Sequence, residues 1–271
     1  MMGSASAPPV LCYHRIGGPL ELGVTRLARR VFERQMRTLA LSGWRTLTLQ
    51  QFAERLKAPA GAPDDAPPPD RREFLLTFDD GYASLADHAY PVLARVGFTA
   101  VTFLVTDHVG GTNTWDARYT WRRLQHLRWS EVERWLACGF EFGSHTATHG
   151  RLTWLDDGRA AEELSRSRDT LVRRLGQAAG RALAYPFGAW NDRIVRLAGA
   201  AGYQLGFGGV AGDGPPLALP RVPVYLWDRG SVPLGLRQDA WGAAGRVAAR
   251  VANRCAVATT VMLRVMGGRR R

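Results

Sequence analysis

Short apolar runs alternate with amphipathic helical stretches along most of this 271-residue chain, and that order leaves few folds open. A strand that reaches its neighbour through a helix pairs with it in parallel, so the pattern implies a parallel β/α architecture. Residues 10–16 hold a strand that ends near His14, and 46–49, 73–78, 99–105, 140–143 and 182–185 read as strands, with shorter ones near 203–207 and 221–225. Between them lie helical patterns: one carrying Phe32, Met36 and Leu39 at core spacing and stopped by Gly43, then 49–56, 84–96, 130–138, 157–175 and 192–200. In the fourth of these, Ser130 is the expected N-cap and Glu133 its capping-box partner. Residues 58–70 contain five prolines and read as a surface linker, and 110–128, rich in Trp and Arg, as a loop over the site.

Hydrophobic residues make up 46% of the chain, enough to bury one large domain, expected over 8–235, with a tail at 236–271. Cys12, Cys138 and Cys255 have no metal or redox spacing and read as free thiols of a reducing compartment. The first nine residues offer neither a basic nor an apolar signal region, so the expected location is cytoplasmic, including the inner face of the membrane. The net charge is +12, and from Leu236 onward eight Arg face one acid, Asp239. A basic tail points to an anionic partner.

The chemistry concentrates at strand ends. Asp79-Asp80-Gly81 follows the run ending at Phe78. Neighbouring strand residues point to opposite faces, so two successive Asp serve one site only where a strand stops and the chain turns. Ser144-His145-Thr146-Ala147-Thr148-His149 places two imidazoles four positions apart after another apolar run. Asp-Asp-Gly alone reads as a solvated turn, and a His pair alone as readily as a helix face. Together they suggest a metal held by one Asp and two His, with the other Asp free for proton transfer.

Thr77-Phe78-Asp79-Asp80-Gly81 and the Ser144–His149 segment resemble the first two motifs of the polysaccharide deacetylase (NodB-homology) family, and Ala184-Tyr185-Pro186-Phe187-Gly188 resembles its third. The similarity covers residues 8–230. It implies a distorted (β/α)7 barrel with its site at the carboxyl ends of the strands, as in related barrels. It also implies Asp80, His145 and His149 as ligands of a divalent metal, most often Zn²⁺, though such a set also suits Co²⁺, Ni²⁺ or Fe²⁺. Asp79 would be the general base, and the Phe187 N–H an oxyanion donor where the family often has Tyr.

Two departures matter. Many members use a His near the end of the domain as general acid, and no His follows His149. Tyr13-His14-Arg15-Ile16 instead resembles the permuted branch typified by poly-N-acetylglucosamine deacetylases, which implies His14 as the acid. Ala184 stands where an Arg usually pairs with the catalytic Asp, and Arg221 is the candidate replacement. Trp115, Asp116 and Tyr185, with Trp227, are candidate sugar contacts; His88, His108 and His126 read as structural.

The expected substrate is an N-acylated amino sugar in a glycan or in a lipid-linked or nucleotide-linked glycan precursor. The competing reading is a non-catalytic glycan- or membrane-binding protein on the same scaffold. Within the tail, Ala244, Val247, Val251, Cys255, Ala258 and Met262 form an apolar stripe beside Arg246, Arg250 and Arg254. Such a helix either lies on an anionic leaflet or packs on the barrel wall. Nucleic acid is disfavoured, because the tail lacks interleaved aromatics or a recognised motif.

Overall fold

A computed structural model describes residues 7–18, 25–57, 72–113, 123–209, 214–233 and 236. The proline-rich linker, Trp115, Asp116 and the apolar stripe of the tail lie outside the described residues. Strands β1 (Val10–Tyr13), β2 (Arg15–Ile16) and β3 (Arg26–Leu27) precede helix α1 (Arg29–Leu41), followed by β4 (Arg45–Thr46), α2 (Leu49–Lys57) and β5 (Glu73–Phe78). Helices α3 (Ser84–His88) and α4 (Tyr90–Arg95) lead to β6 (Val101–Leu104), and α5 (Trp129–Ala137) to β7 (Glu141–Ser144). Helix α6 (Asp157–Leu175), β8 (Ala182–Ala184), α7 (Asp192–Ala200), β9 (Leu205–Phe207) and β10 (Val222–Pro223) complete the order.

All pairings in the main sheet are parallel, in the order β10-β1-β5-β6-β7-β8-β9. Residues 219–224 tie its two ends together. Leu219 bridges Phe207 of β9, while Val222 and Pro223 pair with Leu11 and Cys12 of β1. Leu219 N donates to Gly206 O and Val224 N to Cys12 O, each at 2.8 Å. The strands thereby close into a distorted barrel, as the family resemblance implies, and among the described residues the ring leaves no long open edge.

Strand alternation sorts the side chains. Leu75, Val101, Phe103, Ala182, Ala184 and Phe207 fill the interior, whereas Leu11, Tyr13, Phe74, Leu76 and Phe78 pack outward in the cluster that contains Phe32 and Met36 of α1. Leu47, Leu49 and Phe52 join the interior cluster, with the Phe52 ring 5.9 Å from that of Phe207. The segment around α2 thus plugs the amino end of the barrel, which leaves the carboxyl ends of the strands for a site.

Two local expectations change. The helix expected at 84–96 is two helices broken at Ala89, with Pro91 in the first turn of α4, where its missing N–H costs nothing. Helix α5 starts at Trp129, and Arg128 N donates to Glu131 Oε2 at 2.8 Å, in place of the Ser130 and Glu133 cap. Leu127, fully buried and bonded through its N–H to Gly81 O at 2.9 Å, fixes where the chain turns into the helix.

Candidate metal and proton-transfer site

The non-glycine residues with positive φ among those described are Asp80 (69°), Thr146 (66°), His149 (66°) and Phe187 (60°). All follow the carboxyl end of β5, β7 or β8, and each such conformation costs about 1–3 kcal/mol. Asp80 shows what the strain achieves. Asp79 continues the inward register of β5, and the left-handed turn at Asp80 brings the next carboxylate to the same site. Gly81 (φ 70°) completes the turn, and a Cβ there would lie 2.6 Å from Leu104 Cδ2. The buried His126, read from sequence as structural, bonds through Nδ1 to Asp80 O at 2.7 Å and braces the turn from outside.

Asp80 Oδ1 lies 3.5 Å from His145 Nε2 and 3.4 Å from His149 Nε2, and all three residues are buried. Separations near 3.4 Å match the edges of a tetrahedron with metal–ligand distances of about 2.0–2.2 Å. Asp80 Oδ1 has no hydrogen-bond partner among the described residues. His145 Nδ1 meets Ala184 O at 2.7 Å; a carbonyl only accepts, so Nδ1 carries the proton and Nε2 keeps its lone pair for a ligand. Burial lowers the His145 pKa to about 4, so the ring is neutral at neutral pH. Burial also pushes the Asp80 carboxyl up, but His149 foremost, with His14 and His145, outweighs it and holds the group well below the usual carboxylate range. This donor set fits a divalent ion.

Asp79, 3% exposed, sits beside that group with Oδ2 3.9 Å from His145 Nε2. Arg221 donates to both of its oxygens, Nη1 to Oδ1 and Nη2 to Oδ2, each at 2.7 Å. Burial alone would raise the Asp79 pKa; the Arg221 guanidinium, aided by His145, overrides it and lowers the value to about 2. The Cys12 thiol donates to Asp79 Oδ2 at 3.4 Å from the barrel interior. His14 completes this side: a ring nitrogen of His14, Cys12 Sγ and an Asp79 oxygen all lie within 4.8 Å of one another. Tyr13 is turned outward by its edge-on contact with Phe32 at 5.3 Å and its hydroxyl donates to Gln35 Oε1 at 3.1 Å. The strand alternation then turns the half-buried His14 toward Asp79.

Phe187 occupies the turn after β8, and its ring meets that of His149 at 4.8 Å. Tyr185 requires a correction as a sugar contact. It alternates away from the inward Ala184, is fully buried among Leu183 and Ile194, and donates its hydroxyl to Leu217 O at 2.8 Å. It has no surface to offer a substrate. Trp227 is 40% exposed, its ring 4.8 Å from that of Tyr225.

Sequence reasoning missed Glu163, which is buried on α6 and accepts from Ala147 N, Thr148 N and Thr148 Oγ1 in the loop between the two His. The signal was present: Ala160, Glu163, Leu164, Ser167 and Leu171 share the buried face, so an acid stands at a core position.

The family profile for polysaccharide deacetylases matches residues 66–206. The stretch includes both motifs and Phe187 but neither His14 nor Arg221. A poly-β-1,6-N-acetyl-D-glucosamine N-deacetylase of Staphylococcus epidermidis is 26% identical over 225 residues, covering 77% of this chain and 71% of that protein. The structure of IcaB from Ammonifex degensii superposes with a TM-score of 0.65 at 25% identity, covering 92% of this chain and 98% of that one. The Streptococcus pyogenes deacetylase PplD in complex with acetate gives a TM-score of 0.69 at 21% identity, over 84% and 95% of the two chains, and so shares the fold.

Proposed function

The chain belongs to the polysaccharide deacetylase family, and from that premise we propose that it hydrolyses the N-acetyl group of an amino sugar in a glycan or a lipid-linked glycan precursor. The observation that carries the reading is the Arg221-clamped Asp79 standing 3.9 Å from His145 of the Asp80, His145 and His149 group. A site that needed only a structural metal has no use for a second, separately held carboxylate.

Asp80, His145 and His149 would hold the ion, with Zn²⁺ the leading candidate. A divalent ion bound there supplies a Lewis acid for the acyl carbonyl and lowers the pKa of nearby water. Asp79, ionised at neutral pH, takes the proton of the water that attacks the acyl carbon. Arg221 keeps that carboxylate charged and fixes its orientation. The Phe187 N–H donates to the oxygen that gains charge as the carbonyl becomes tetrahedral. His14 gives a proton to the sugar nitrogen as the C–N bond breaks, and acetate and a free amine leave. Trp115 and Asp116 remain candidate sugar contacts, and the Arg-rich tail a candidate contact with an anionic leaflet. Among the described residues no helix is long and apolar enough to cross a membrane.

The test is to incubate the Zn²⁺-loaded protein with N-acetylglucosamine oligomers and with lipid-linked N-acetylated precursors. Acetate release, with the matching loss of acetyl mass, is the expected result, and Asp79→Asn should release none. A protein that binds the ion and these glycans yet deacetylates nothing would support the non-catalytic reading instead.

A further inference from the structure

We infer that Glu163 is a positioning residue for the candidate metal centre, acting through the loop from His145 to His149; the inference rests on the reading of that centre given above. Four consecutive main-chain N–H groups in this loop donate to side chains. Thr146 N donates to Ser144 Oγ at 3.1 Å, Ala147 N and Thr148 N to Glu163 Oε2 at 3.1 and 2.9 Å, and His149 N to Thr146 Oγ1 at 3.1 Å. Thr148 Oγ1 adds a 2.8 Å bond to Glu163 Oε1.

The backbone explains why a carboxylate is required. Thr146 and His149 are both left-handed, and between them the Ala147 and Thr148 N–H groups point to Glu163 of α6. The buried Ala147 N–H needs an acceptor, and an ionised carboxylate accepts this donor and the part-buried Thr148 N–H at once and forms the stronger kind of bond. Glu163 reaches the loop because it lies on the buried face of α6. One turn further on, Ser167 meets Ser144 Oγ at 2.7 Å and supports the start of the same loop. The carbonyl side is fixed too, since Thr106 N donates to Thr146 O at 3.2 Å and Asp107 N to Ala147 O at 3.0 Å. Arg166 Nη2 lies 2.9 Å from Asp107 Oδ2 and 3.7 Å from Glu163 Oε1, linking the two supports. These bonds hold the loop in the conformation in which His149 Nε2 lies 3.4 Å from Asp80 Oδ1. Glu163 itself bonds neither imidazole in this arrangement; its effect is on where His149 is held.

Glu163→Ala removes the acceptors, whereas Glu163→Gln keeps one oxygen for the two N–H groups and offers its amide to the Thr148 hydroxyl, which can turn to accept. The experiment titrates Zn²⁺ into metal-free protein against a competing chelator and records the thermal unfolding of each metal-free form separately. The expected result is Zn²⁺ binding about 10–100-fold weaker in Glu163→Ala, the usual loss on removing a partner that orients a ligand, with Glu163→Gln staying inside the lower bound. Should Glu163→Ala fail to fold, Glu163→Asp, one methylene too short, carries the same expectation. Wild-type affinity in the truncated variant overturns the inference, even if its melting temperature falls. Equal losses in Glu163→Ala and Glu163→Gln overturn it as well. A wild-type protein that binds no ion refutes the reading of the centre, whereas stoichiometric wild-type binding with unchanged affinity in the variant refutes the positioning role alone.

Discussion

Arg221 and Asp79 are 142 positions apart in the chain, yet two parallel 2.7 Å hydrogen bonds join them inside the barrel. A forked guanidinium matches a carboxylate better than an ammonium does. The pair lowers the Asp79 pKa to about 2 against the opposing effect of burial. Asp79 therefore stays ionised at mildly acidic pH. Its stabilising contribution is fully present above the ordinary carboxylate pKa and fades as pH falls through about 2.

Removing the clamp should expose the effect of burial. In Arg221→Ala the Asp79 pKa should rise by about 1–3 units, the usual influence of an adjacent Arg. The acid limb of kcat/KM should then move to higher pH, because a protonated Asp79 cannot accept a proton. An acid limb unchanged from the wild type would mean that Asp79 is not the base.

The ligand set can be tested apart from turnover. Asp80→Ala and His145→Ala should each abolish stoichiometric Zn²⁺ binding, since two protein ligands leave an open, weak site. Asp79→Asn should still bind the ion while releasing no acetate. Metal analysis after dialysis decides, and full Zn²⁺ occupancy in Asp80→Ala would remove that residue from the set.

His14 is tested by the leaving group. His14→Ala should slow amide hydrolysis by about 10²–10⁴, the usual range for a positioned acid. The loss should be far smaller on an activated ester, whose leaving group departs without a proton. Equal losses on the two substrates would reassign His14 to a structural role.

Tyr185 should behave as a packing residue. Tyr185→Phe loses the 2.8 Å bond to Leu217 O, which should lower stability by about 0.5–1.5 kcal/mol. KM for a glycan oligomer should not change; a marked rise would restore Tyr185 as a sugar contact.

The sequence by itself carried what short-range chemistry can carry. The alternation of strands and helices determined a parallel β/α architecture, which the motif resemblance narrowed to a barrel, and strand 73–78 and helices 157–175 and 192–200 were legible to the residue because periodicity and capping are local. Asp79, Asp80, His145 and His149 were legible as a group because few other arrangements place these residue types together at strand ends. Tertiary structure decided the partners. Arg221 reaches Asp79 only because residues 219–224 close the ring between β9 and β1, a pairing of distant segments that no local pattern encodes. Alternation at the end of β8 turned Ala184 inward and Tyr185 into the outer packing, so a motif residue proved structural. Glu163 shows the reverse case. In sequence it is an acid at a core position of an amphipathic helix, and its acceptor role appears only when α6 packs its buried face against a loop whose N–H groups have no strand to pair with.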